Sequence, residues 1–212
     1  MAKDPLSFLR EDFVALFNRG VSDLSQKATA GEAWAKARLE DVRAASGCAH
    51  FVLDGAGGGE VYLEIQNGEM KAHAQKPASP PTRLGVGGSA ATAQAGLEML
   101  LSSGHLDDAS SAVRVTRIAS GKLEKLIEKE KLSFQLTVKD VPEVDQVVVR
   151  VGLGFEDPPV TPGFSMTVSY DDLEDVRNGD LKPQQLFMSK IKIVGDASRA
   201  MTLAMTLMQQ RR

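Results

Sequence analysis

Cysteine occurs once in the 212 residues, as Cys48, so no disulfide can close within the chain. One thiol and three scattered histidines (His50, His73 and His105) supply no Cys/His set for zinc. A cytoplasmic, reducing location suits such a chain. Neither sign of charge dominates: the formal net charge is −3 and the pI about 5.7. That excludes the basic surface needed to neutralise nucleic-acid phosphates, and it argues against a strongly electrostatic membrane anchor. No apolar run is long enough to span a bilayer, and Met1-Ala2-Lys3-Asp4-Pro5 lacks the apolar stretch of a signal peptide. Gln209-Gln210-Arg211-Arg212 is not a peroxisomal address. No Ser or Cys sits in a nucleophile–base arrangement around the histidines, so neither a catalytic site, a metal nor a cofactor is expected.

What is present is ordinary for a globular protein: 42% hydrophobic and 25% charged residues, with room for one large or two small domains. The most informative stretch is the last sixty residues. A charged helix from Tyr170 ends at Gly179, and Asp180-Leu181-Lys182-Pro183 leads to Phe187. Lys190-Ile191-Lys192-Ile193-Val194 alternates as a strand, and Gly195-Asp196 opens a helix that Asp196 can cap. That helix is apolar nearly all round between Ala200 and Met208, so something must cover it. Met201, Met205 and Met208 fall on one stripe at helical spacing. Methionine adapts to varied shapes, although Met and Leu at this spacing also make plain core.

The stretch resembles the sterol carrier protein type 2 family of small lipid-transfer domains. The positions that carry the resemblance are Gly179, Leu181, Pro183, Phe187, Lys190-Ile191, Ile193, Gly195 and Asp196. It implies an α+β fold, a mainly antiparallel twisted sheet covered by helices, with a hydrophobic tunnel between the two for sterols, fatty acids or acyl chains. The residues expected to line that space are Phe134, Leu136, Phe164, Met166, Phe187, Ile191, Ile193, Met201, Met205 and Met208.

The same order of elements runs twice through the chain. Val61, Leu63 and Ile65 before Gly68 parallel Val147, Val149 and Val151 before Gly154, and Leu84 and Val86 parallel Met166 and Val168. The helix ending at Gly104 parallels the one ending at Gly179, and Val113–Leu123 lies over Ile191–Met201 without a gap, both reading as a strand that feeds a helix. Two tandem sterol-carrier-like repeats follow, residues 47–127 and 128–212, after an N-terminal helical segment, 1–46. The repeats could share one continuous sheet through their exposed edges. The first copy lacks the Pro, Phe and Gly-Asp positions, and its last helix, Gly121 to Lys131, is short and polar, so it is expected to bind no lipid. The Lys and Glu residues of that boundary helix read as a solvated face.

Alternation of Phe134, Leu136 and Val138, and of Phe164, Met166 and Val168, predicts half-buried strands. Asn67-Gly68 predicts a two-residue hairpin, Gly55–Gly59 a hairpin loop, and Pro158-Pro159 with Pro162-Gly163 a longer loop. Asp4-Pro5 starts a helix whose apolar residues (Leu6, Leu9, Phe13, Leu16, Phe17, Val21 and Leu24) share a face, and a second helix runs from about Glu32 to Ala45. The mixed charges of the first favour packing on the body over lying on a membrane. Gly85-Val86-Gly87-Gly88-Ser89-Ala90 matches a loose dinucleotide fingerprint, but in an antiparallel context rather than a βαβ unit. The histidines are expected to face solvent. Asp171, Asp172, Glu174 and Asp175 form a solvated helix start that complements the dipole.

The sequence therefore predicts a non-catalytic binder or carrier of an intracellular hydrophobic ligand (fatty acid, acyl-CoA, sterol-like or isoprenoid lipid). The space would lie between sheet and C-terminal helix, with no nucleic-acid partner and no integral membrane association. The competing expectation is an interaction or dimerisation module with a filled cavity, whose partner is a second copy or a lipid-handling enzyme.

Overall fold

The computed structural model describes residues 3–102, 104, 106, 109–121, 124, 127–128 and 131–209, with the backbone only at 109 and 206–209. The chain starts as Asp4-Pro5 dictates. The Asp4 carboxylate accepts a hydrogen bond from the Ser7 amide at 2.8 Å, which holds its carboxyl below the usual range. Helix α1 (Pro5–Phe8) passes through a π-helical turn (Leu9–Phe13) into α2 (Val14–Thr29), and α3 (Ala33–Ala44) follows. Strands β1 (Ser46–Asp54), β2 (Gly59–Gln66) and β3 (Glu69–His73) come next, then β4 (Thr82–Ser89), α4 (Ala90–Ser102) and α5 (Ala109–Val115). The remainder is β5 (Leu132–Val141), β6 (Asp145–Leu153), β7 (Phe164–Ser169), α6 (Tyr170–Asn178), α7 (Pro183–Gln185), β8 (Lys192–Gly195) and α8 (Ala197–Gln209).

Among the described residues, all eight strands join one sheet, in the order β3-β2-β1-β4-β6-β5-β7-β8. Two pairings, β1 with β4 and β5 with β7, are parallel and the rest antiparallel, so the sheet is mixed rather than purely antiparallel. The pairing relations of β2-β1-β4 recur in β6-β5-β7, an antiparallel then a parallel neighbour. The recurrence is incomplete. A hairpin through Asn67 and Gly68, both with positive φ, gives β2 the partner β3. After β6 the chain makes a loop instead, and β4 pairs on the side where a third strand would lie.

The register puts one apolar row across six strands, Val61–Phe51–Val86–Val151–Phe134–Phe164. Because side chains alternate along a strand, every member of this row points to the same side. Helices cover that side. Phe17, Leu24, Leu39 and Val42 bury against Val61, Leu63 and Met70 in one core, so the amphipathic N-terminal helix packs on the body. Asn18 on α2 also exchanges two hydrogen bonds with the Met70 backbone, at 2.9 and 3.0 Å, and so caps part of the free edge of β3. A second core, around Leu132, Phe164, Met166, Ala200 and Leu203, lies under α8.

Residues 113–118 correct the sequence expectation. They are not a strand: α5 runs to Val115 and a 3₁₀ turn covers Thr116–Ile118. The alternation of Val113 and Val115 was ambiguous, since Ala112, Thr116 and Ala119, all buried, also fit a helical period. The deciding contact is with α2 at Gly20, where an added Cβ would stand 2.0 Å from the Ala112 carbonyl oxygen. Most of the boundary helix expected from Lys122 to Lys131 falls outside the described residues.

Candidate functional site

Seven of the ten residues expected to contact ligand come together. Phe134, Leu136, Phe187, Ile191 and Ile193 pack against the buried Phe164 and Met166. The register places Phe134 beside Phe164 and Leu136 beside Met166, with the two phenyl rings stacked at 5.5 Å. Ile193 pairs with Met166 from β8. Gly195 makes the turn from β8 into α8. Its φ is +97°, and an added Cβ would stand 2.9 Å from the Gly163 carbonyl oxygen, so only glycine fits. Asp196 then accepts from the Arg199 amide at 3.1 Å and caps α8.

Helix α8 presents a different stripe from the one its methionines suggest. Ala200, Leu203 and Ala204 are buried, whereas Met201 is 38% and Met205 55% exposed. Ala200 and Ala204 let the helix approach closely and Leu203 packs into the cluster, while Met201 and Met205 turn outward. The Met208 side chain falls outside the described residues.

Helix α6 abuts this cluster in sequence. Ser169 caps it, accepting from the Asp172 amide at 3.1 Å while its hydroxyl donates to the Asp172 carboxylate at 2.7 Å. Lys190, closing the π-helical turn Leu186–Lys190, reaches Asp172 at 3.1 Å. The Ser169 hydroxyl first, and Lys190 next, hold the Asp172 carboxyl below its ordinary value. The acidic helix start is therefore partly engaged in tertiary contacts.

The opposite face of the sheet carries the remaining polar groups. His50 is buried, which corrects the expectation of solvent-facing histidines. Its ring stacks on Tyr62 at 4.1 Å, with Nε2 3.0 Å from Glu60 and Nδ1 3.0 Å from Asp157. His73 pairs with Glu64 at 2.7 Å on the same sheet, and His105 falls outside the described residues. Cys48 is buried too, and burial pushes its thiol up. Among the described residues no three His, Cys, Asp or Glu side chains converge as a metal site. No helix described is long and apolar enough to cross a membrane.

The glycine-rich run at 85–88 has a structural use. Its residues sit inside β4, laddered to β1 on one side and β6 on the other, so their amides are committed to the sheet rather than open to a phosphate. An added Cβ on Gly85 would stand 2.3 Å from the Asp157 carbonyl carbon, and one on Gly87 would stand 2.7 Å from the Pro158 side chain. The missing side chains let the β6–β7 loop lie flat on the sheet.

The chain matches the model of the SCP-2 sterol transfer family over residues 97–208, just over half its length. It belongs to that family. The match starts in α4 and takes in β5 to β8 and α8, and all ten expected ligand residues fall inside it. Among solved structures, the chain is similar to the sterol carrier protein domain 2 of Helicoverpa armigera, at 28% identity over 41% of this chain and 74% of that one, with a TM-score of 0.30. No curated protein matches it. The family segment excludes α1 to β4, and an apolar cavity under α4 lies largely among those excluded elements, lined by none of the ten residues.

Proposed function

We propose that this SCP-2 family member binds and carries a hydrophobic ligand between the sheet and α8, without catalysis. The observation that carries the reading is the family match over residues 97–208, which takes in all of the apolar cluster but Leu84, together with its covering helix. Phe134, Leu136, Phe164, Met166, Phe187, Ile191 and Ile193 form the wall. Helix α8 is the cover, held by the buried side chains of Ala200, Leu203 and Ala204. Ligand entry lifts or rolls α8 and brings Met201, Met205 and Met208 into the lining. Methionine suits this role because its flexible torsions fit many shapes. Burial of apolar surface at about 25 cal/mol per Å² supplies the affinity without a polar contact. Fatty acid, acyl-CoA, sterol-like and isoprenoid lipids all meet that requirement. We read the chain as an N-terminal helical segment, 1–46, followed by two related units, 47–127 and 128–212, with the carrier role in the second.

The packed state of the cluster and the exposure of Met201 and Met205 favour one other reading, a protein-interaction module whose cavity is filled by its own side chains. Photo-crosslinking with a diazirine-bearing fatty acid, followed by peptide mass spectrometry, separates the two. Label on β5, β7 and α8 peptides is the expected result. Absence of label there, with a monomer–dimer equilibrium abolished by Met201→Lys and Met205→Lys, would favour the interaction module.

A further inference from the structure

The cavity under α4 has a volume of about 260 Å³ and is walled by three parts of the molecule. Pro5, Phe8 and Leu9 close it at the start of the N-terminal helix, where the π-helical turn begins. Phe51, Leu53 and Val86 form its floor, from the apolar side of β1 and β4. Val147 and Val149 extend that floor from β6, so the space exists only because β4 and β6 pair. The roof is one face of α4, with Ala93, Gly96, Leu97 and Leu100 at helical spacing.

Among the described residues no charged side chain lines this space. Its two hydroxyls are already used: Ser89 Oγ and Thr92 Oγ1 lie 2.9 Å apart, Thr92 Oγ1 donates to the Ser89 carbonyl at 3.1 Å, and Ser89 Oγ accepts from the Thr92 amide at 3.1 Å. An ionised headgroup placed here would find no partner, and burying it would be costly. Pockets that enclose whole drug-sized ligands run from about 300 to 1,000 Å³, so this one suits a segment of chain rather than a complete lipid. Gly96 keeps it open. An added Cβ there meets nothing within 4 Å, although glycine weakens the interior of a helix.

We propose that the cavity between α4, the N-terminal helix and β1-β4-β6 is a second ligand site that holds the hydrocarbon chain of a neutral lipid. It is distinct from the α8 site and largely outside the family segment, and it does not rest on the carrier reading of the second half.

The test uses the full chain and a diazirine-bearing long-chain alcohol, whose head carries no charge. In the wild type, label is expected on β1 peptides around Phe51–Leu53 and α4 peptides around Ala93–Leu100. Gly96→Leu places a side chain in the cavity, so label at these peptides is lost while the melting temperature stays at or above that of wild type. Gly96→Ala, which adds one methyl group, retains most of it. Wild-type protein with no label on β1 or α4, or a folded Gly96→Leu with undiminished label there, would overturn the proposal. Label near α8 is scored separately in the same digest, so either site can fail without the other.

Discussion

His50 Nδ1 lies 3.0 Å from a carboxylate oxygen of Asp157, a residue 107 positions further along the chain. The contact joins β1 to the β6–β7 loop, and the other ring nitrogen reaches Glu60 at the same distance. Both nitrogens donate only when the ring carries two protons. The carboxylates are largely in water, with the Asp157 side chain 79% exposed, whereas the imidazole is buried against Tyr62. Ring burial should therefore outweigh the ion pairs. His50→Ala is expected to cost about 2–3 kcal/mol in urea unfolding, and Asp157→Asn under about 1 kcal/mol. Equal losses from the two substitutions would show that the charges, not the packed ring, hold the loop.

Two helical glycines should respond to alanine with opposite signs. Gly20 meets the Ala112 backbone, so Gly20→Ala should destabilise by about 1–3 kcal/mol despite alanine's better helix propensity. Gly96 faces open space, so Gly96→Ala should stabilise by up to about 1 kcal/mol. Urea midpoints at unchanged m-value check both, and a gain at Gly20 would contradict the close α2–α5 crossing.

Asp172 gives a pH dependence with a defined direction. Its carboxyl titrates below the ordinary carboxylate range because Ser169 and Lys190 favour the charged form. A depressed carboxyl contributes stability that is full above the unfolded value and lost as pH falls through the folded one. Asp172→Asn should accordingly be less stable than wild type at pH 7, with the gap closing as pH falls below the ordinary carboxylate range. A gap that is the same at both ends would mean that the amide, and not the lost charge, is responsible.

Much of the second half was legible because local chemistry and burial agree there. The alternation through Phe134 and Phe164 marks real strands, and Gly179, with φ +88°, ends its helix where the sequence puts the stop. Gly195-Asp196 turns and caps as its residue types require. What stayed hidden depends on partners distant in sequence. Val113 and Val115 fit either period, and Gly20 decides between them from ninety-odd residues upstream. The outward turn of Met201 and Met205 follows from burial of the neighbouring stripe of Ala200, Leu203 and Ala204, which periodicity alone ranks no lower. The α4 cavity arises from the junction of β4 with β6, and no window of sequence contains both. Gly96 inside an otherwise good helix was the one local sign of it.

The pairing of β4 with β6 also determines what would happen if the polypeptide were severed near Glu128. Each piece would keep most of its own strands, yet one would bare the β4 edge from Leu84 to Gly88 and the other the β6 edge from Val149 to Leu153. Each bare edge is a template for the other. Arg83 would regain Glu128, Lys76 would regain Glu156 and Arg150 would regain Asp54 only on reunion. The molecule is thus wired for fragment complementation: two separately made halves should reassemble into one sheet, and either half alone should seek a foreign strand.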